Sequence, residues 1–298
     1  MDRKNFIKTL AMLPLIGTAM KLNELGKLSD RLAATDKMPV LFVGHGSPTN
    51  AIDINEFSRR WQQLATEIPV PKAVLIISAH WLTRGTQITA MEHPKTIHDF
   101  GGFSQELYEV QYPAPGSPTL AASTAGMIHS TVVGLDHDWG LDHGAWSITK
   151  QMYPHANIPI LQLSIDYSKP AQYHYDLAQQ LMGLRDKGVL ILGSGNMVHN
   201  LRMISLPNND FNNINKEYGF DWALEMNQIF KDKISHGDHK ALIEYEKLSK
   251  SASLAIPTPD HYYPLIYTLA LQGKDEQPQF FNDKAVAGSL TMTSVKFS

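Results

Sequence analysis

Three apolar runs that each break into small residues followed or joined by a histidine constrain this chain more than any other feature. Val40-Leu41-Phe42-Val43 leads into Gly44-His45-Gly46-Ser47-Pro48, and the run Ala73-Val74-Leu75-Ile76-Ile77 leads into Ser78-Ala79-His80-Trp81, with His80 35 residues after His45. A third run, Val189-Leu190-Ile191-Leu192, leads into Gly193-Ser194-Gly195, with His199 four residues beyond the second glycine. Short continuous runs of β-branched and large apolar residues, cut off by turn formers, read as strands buried on both faces. Such strands belong to parallel sheets covered by helices, where ligands collect in the crevice beyond the carboxyl ends. Neutral imidazoles at those ends are suitable metal ligands.

The segments between these runs fit the same architecture. Asn50 to Glu67 carries Phe57, Trp61 and Leu64 on one helical face and stops before Pro69 and Pro71. Thr86 to Met91 reads as a strand, and Ser117-Pro118 opens a helix reaching about Thr131. Pro159 to Ile165 reads as a strand, and a helix runs from Ser168-Lys169-Pro170 to Lys187-Gly188. Residues 215 to 251 are mostly helical, a short apolar helix ends at Leu271, and Ala285 to Phe297 alternates as a last strand. The expectation is one α/β domain with a central, mostly parallel or mixed sheet flanked by helices, over residues 38–298. Residues 1–37 form an N-terminal extension or leader. Asp2 to Lys8 followed by the apolar Leu10 to Met20 is similar to a degenerate twin-arginine leader. No small-x-small cleavage site follows, and a bilayer span needs about 20 apolar residues. A cytoplasmic location is therefore expected, with export as the alternative.

Two stretches resist a periodic reading. His93 to Pro118 contains His98-Asp99-Phe100-Gly101-Gly102-Phe103, and Leu135 to Trp146 holds three Asp, two His and two Trp in twelve residues. Unperiodic loops of this length inside a compact domain usually build binding walls.

Composition narrows the chemistry. With no cysteine, disulfides, thiolate metal sites and cysteine nucleophiles are excluded, so any metal must use His, Asp, Glu or water. A net charge of -3 without a Lys/Arg stripe excludes a nucleic-acid footprint. Taken singly, His45, His80, His199 or His261 is a loop histidine with a hydrogen bond; together, at four breaks between elements, they point to a metal site. His143, between Asp142 and Gly144, is either a base or hydrogen-bond donor beside that site or a loop contact. Gly193-Ser194-Gly195 lacks the third glycine and lysine of a phosphate loop, and Ser47 does not sit in the Gly-x-Ser-x-Gly of a nucleophile elbow.

Seven motifs, in order, carry a resemblance. They are His45-Gly46-Ser47-Pro48, Ser78-Ala79-His80-Trp81, His98-Asp99-Phe100, Tyr112-Pro113-Ala114-Pro115-Gly116, Leu141-Asp142-His143-Gly144-Ala145-Trp146, Gly193-Ser194-Gly195-Asn196 through His199-Asn200-Leu201, and Pro259-Asp260-His261. From about Met38 to the C-terminus the sequence resembles the DOPA-type extradiol ring-cleavage dioxygenases, the class III, LigB-like enzymes. The resemblance implies that His45, His80 and His261 ligate one divalent metal, Fe(II) for turnover or Zn(II) as bound, with O2 as co-substrate. His199 matches a position that is a fourth ligand or the acid/base residue, and His143 one that faces the substrate. The implied substrate is a catechol such as DOPA, cleaved at the 4,5 position, with His98, Phe100 and Trp146 lining its pocket. Stable membrane insertion is not expected, and a homo-oligomer is left open. A zinc hydrolase using the same histidines is the alternative, though no His-Glu-x-x-His signature supports it. The other is a non-catalytic metal-binding protein.

Overall fold

The structure, a computed structural model, describes residues 37–298; the expected leader lies outside the described residues. Six strands form the central sheet. They are β1 (Val40–Gly44), β2 (Ala73–Ser78), β3 (Ile160–Gln162), β4 (Val189–Gly195), β5 (Pro278–Phe281) and β6 (Ser294–Phe297), in the spatial order β3-β2-β4-β1-β6-β5. The first four are mutually parallel, while β6 runs antiparallel to both β1 and β5, so the sheet is mixed.

Alternate residues of the buried strands feed two separate cores. Val40, Phe42, Leu75, Ile77 and Ile191 face one side, against α3 (Ala171–Gln179), α4 (Asp221–Ser235) and α5 (Tyr263–Ala270). Leu41, Val43, Val74, Ile76, Leu190 and Leu192 face the other, against α1 (Glu56–Glu67) and α2 (His143–Met152). A sheet apolar on both faces needs a helical layer on each, and this explains why the strand runs read as continuously apolar. Among the described residues, no helix is long and apolar enough to cross a membrane.

Register sets the functional end of the sheet. Gly44 pairs with Gly195, and Ser78 with Ser194, so three central strands end level with one another. The backbone N–H groups of His45 and Ala79 continue the ladder, donating to the carbonyls of Gly195 at 3.0 Å and Ser194 at 2.9 Å. His45 and His80 therefore emerge side by side.

Several elements differ from the sequence expectation. Asn50 to Glu67 is a 3-10 turn, Pro48–Ala51, and then α1, because Asn55 and Ser58 form a reciprocal capping box that starts the helix at Glu56. The helix opened by Ser117 ends at Met127. The helix after Pro170 breaks after Gln179 into a 3-10 turn, closed by Gly188 at φ +80°. Strand Thr86–Thr89 pairs with Val133–Asp136, part of which read as loop. The expected last strand is three pieces, Ala285–Val286 turning onto Leu290–Thr291 and then β6. The edge strand β5 was not expected from the sequence.

Candidate metal centre

His45, His80 and His261 bring one ring nitrogen each to within 4.8 Å of the others. His45 and His80 arrive from the level strand ends, and their Nε2 atoms are 3.2 Å apart. His261 comes from the turn before α5, and its backbone carbonyl accepts from Asn196 N–H at 3.0 Å. Gly195 makes that approach feasible: a Cβ there would lie 2.1 Å from the His261 carbonyl oxygen.

Hydrogen bonds around the rings of His45 and His261 fix which nitrogen is free. Ser194 Oγ donates to the Gly144 carbonyl at 2.6 Å, so it accepts from His45 Nδ1–H at 3.0 Å. His261 Nδ1 donates to the Asp260 carboxylate. His80 Nδ1 lies 3.3 Å from Asp99 Oδ2. His45 and His261 thus each find an acceptor for Nδ1–H and keep a bare lone pair at Nε2, and Asp99 stands where it can do the same for His80. Burial is the largest influence on all three, lowering His45 and His261 well below 6.5 and His80 to about 3. The neighbouring histidines push the same way.

Neutral imidazoles with lone pairs turned on one another repel unless a cation lies between them. Two nitrogens bound to one ion at about 2.1 Å, in tetrahedral or octahedral geometry, are themselves roughly 3.0–3.4 Å apart. The observed 3.2 Å fits that spacing. The donor set therefore suits one borderline divalent ion.

His199 stands apart from this set. Its ring stacks on His261 with centroids 3.4 Å apart and planes 6° apart, and its donor atom groups with Asp260 and His261 rather than with His45 and His80. Burial lowers its pKa to about 4, with the Asp260 charge opposing. His143 opens α2, with its ring centroid 3.9 Å from that of His80. The stretch from Leu135 to Trp146 is thus not one loop: Asp142 caps a helix that begins at His143.

These histidines form the floor of a cavity of about 310 Å³ with Phe100, Phe103, Leu201, Ile204, Phe211 and Ile214 among its walls. Of the three residues expected to contact substrate, only Phe100 lines it. Trp146 is fully buried and donates its indole N–H to the Ile97 carbonyl at 2.8 Å. His98 is hydrogen-bonded through Nε2 to the Val110 carbonyl at 3.0 Å. Both pack on Phe100 and back the wall instead of forming it.

Sequence reasoning left three neighbours without a role: Asp99, Asp260 and Ser194, which receive or approach the Nδ1 atoms. Each lies inside a quoted motif, but only Asp260 shares its break with the histidine it serves; Asp99 and Ser194 meet rings from distant parts of the chain. Asp142 was also unassigned. Its carboxylate accepts from Ser78 Oγ at 2.6 Å, Ala145 N–H at 3.1 Å and Trp139 Nε1 at 3.2 Å, joining β2 to α2.

Residues 38–297 match a family model described as the catalytic LigB subunit of aromatic ring-opening dioxygenase. An Escherichia coli (strain K12) protein named 4,5-DOPA dioxygenase extradiol is 41% identical over 273 residues, covering 90% of this chain and 98% of that protein. A Beta vulgaris protein of the same name is 34% identical, over 86% of this chain and 95% of that one. The solved structure of an uncharacterized Escherichia coli K12 protein superposes with a TM-score of 0.76 at 38% identity, over 88% of this chain and all of that one.

Proposed function

Because the chain belongs to the LigB family of aromatic ring-opening dioxygenases, we propose that it is an extradiol dioxygenase that opens a catechol with O2 at a metal held by His45, His80 and His261. One observation carries the assignment of the ligands: three neutral imidazoles converge at the floor of an apolar cavity. The names of the relatives favour DOPA, cleaved at the 4,5 position, as substrate.

A bound divalent ion with open positions would take both catechol oxygens and, as Fe(II), supply the electron exchange that reaction with O2 requires. The chain's own residues do the rest. At about 310 Å³ the cavity is near the small end of ligand sites and suits one aromatic ring with a short side chain. Phe100, Phe103, Phe211, Ile204 and Ile214 pack on that ring and exclude water. His199, neutral at pH 7, accepts a catechol hydroxyl proton and returns one during ring opening. His143 is held at the N-terminus of α2 and presents its ring to the cavity. The family match does not favour a hydrolase on this site.

The test is anaerobic reconstitution with Fe(II) and, in parallel, Zn(II), followed by oxygen-electrode traces with L-DOPA, caffeate and protocatechuate. The expected result is one O2 consumed per catechol with iron only, fastest with L-DOPA. Stoichiometric iron without uptake on any catechol would overturn the proposal.

A further inference from the structure

Among the described residues, one carboxylate, Asp99, lines the cavity, and it is shared. Asp99 Oδ1 accepts from the His143 backbone N–H at 2.9 Å and lies 3.0 Å from His143 Nδ1, while Oδ2 lies 3.3 Å from His80 Nδ1. The other two rings of the convergent set have private partners, Ser194 for His45 and Asp260 for His261. Among the described residues, the buried His143 Nδ1 has Asp99 as its near acceptor, whose oxygen is close but not squarely in line with its N–H. A buried ring N–H is not left unpaired cheaply, and hydrogen bonds in ligand-free sites are commonly loose until the site fills.

Asp99 Oδ1 receives the His143 backbone N–H, and each of its oxygens faces an imidazole Nδ1, so donors surround it as they would a carboxylate in its ordinary ionised form. An ionised carboxylate is an acceptor only. Both imidazoles must therefore turn an Nδ1–H toward it, which leaves Nε2 bare on each neutral ring. On His80 a bare Nε2 is the metal-ligating atom. On His143 it is an acceptor for a substrate hydroxyl at the cavity floor. We propose that Asp99 is a positioning residue that sets the tautomer of His80 and His143 with one carboxylate, so that metal ligation and the substrate-facing histidine depend on the same group. This rests on the reading of His80 as a ligand.

Asp99→Asn is the informative change, because an amide has one acceptor and one donor end. Its oxygen would stay on the His143 backbone N–H, which cannot reverse, so the NH2 would face His80 Nδ1. His80 could then only accept there, and its proton would move to Nε2, the ligating atom. The experiment measures Zn(II) affinity by chelator competition and records 15N-histidine NMR spectra of the metal-free protein. The expected result is Nδ1–H on both rings in the wild type, a shift of His80 to Nε2–H in Asp99→Asn, and a Zn(II) dissociation constant raised about 10–100-fold. His143→Ala, which leaves Asp99 on His80, is expected to stay within about threefold of wild type. Unchanged affinity and tautomers in a folded Asp99→Asn protein would overturn the proposal. If that variant fails to fold, the wild-type spectra decide alone: Nε2–H on either His80 or His143 would overturn it. Failure of the wild type to bind Zn(II) would defeat the metal reading itself, while the tautomers would still judge Asp99.

Discussion

His199 and His261 lie flat against one another, and that contact supports the acid/base role proposed for His199 over ligation, two roles that spacing alone left open. A ligand must point a lone pair at the ion; a ring stacked on a ligand is placed beside it instead. His199→Gln is therefore expected to keep one metal per chain and to lower kcat by about 10²–10⁴, the usual scale for a lost acid/base residue. Metal analysis and steady-state kinetics on the same preparation check this. Loss of the metal would make His199 a ligand. At this scale the sequence was legible where chemistry coincides with a strand end, as at His45 and His80. It was not legible for Asp99, whose two partners are 19 residues before it and 44 after it, since no local spacing rule encodes that meeting. Trp146 misled for a related reason: an aromatic in a motif was read as a wall, whereas its indole N–H turns away to Ile97.

At the scale of elements, the site depends on level strand ends and on one helix start. β1, β2 and β4 were legible because strands buried on both faces leave continuous apolar runs. The start of α2 was hidden, since Gly140 and Gly144 and the nearby aromatics read as loop, yet Asp142 supplies an N-cap. That cap also receives Ser78 and Trp139, so it fixes α2 and His143 against β2. Asp142→Ala is expected to remove about 1–2 kcal/mol for the cap, plus about 1–3 kcal/mol for a partner left unsatisfied. Urea unfolding of the metal-free protein measures it. A change below about 0.5 kcal/mol would show that α2 is held without its cap. The edge strand β5 was missed because edge strands need no apolar run, and Pro278 at its first position is tolerated only there.

Over the whole molecule, burial of histidines links stability to pH. His45, His80, His174, His199 and His261 all lie below 6.5, each with burial as the largest cause. His174 is far from the strand-end cluster in the sequence, hydrogen-bonded to Tyr267 Oη at 2.9 Å, and lowered to about 4. Below pH 6.5 the unfolded chain protonates these rings, whereas the folded chain holds His174 and His199 neutral to about 4 and His80 to about 3. The unfolded state then binds more protons, so stability falls as pH drops from 6.5 towards 4, by up to about 1.4 kcal/mol per unit for each group. Urea midpoints of the metal-free protein across that window are expected to decline steadily, and a flat profile would contradict the account. The architecture itself, helices on both faces of a mixed sheet, was legible because two-sided burial is a global demand written into each strand.

The most direct test of the central claim is a single turnover of the Fe(II)-loaded protein with L-DOPA under 18O2, quenched at once and weighed by mass spectrometry. The account predicts a ring-opened product carrying both atoms of one O2, absent when His80→Ala replaces the wild type. A product that carries neither label, or one formed equally well without the metal, would contradict it.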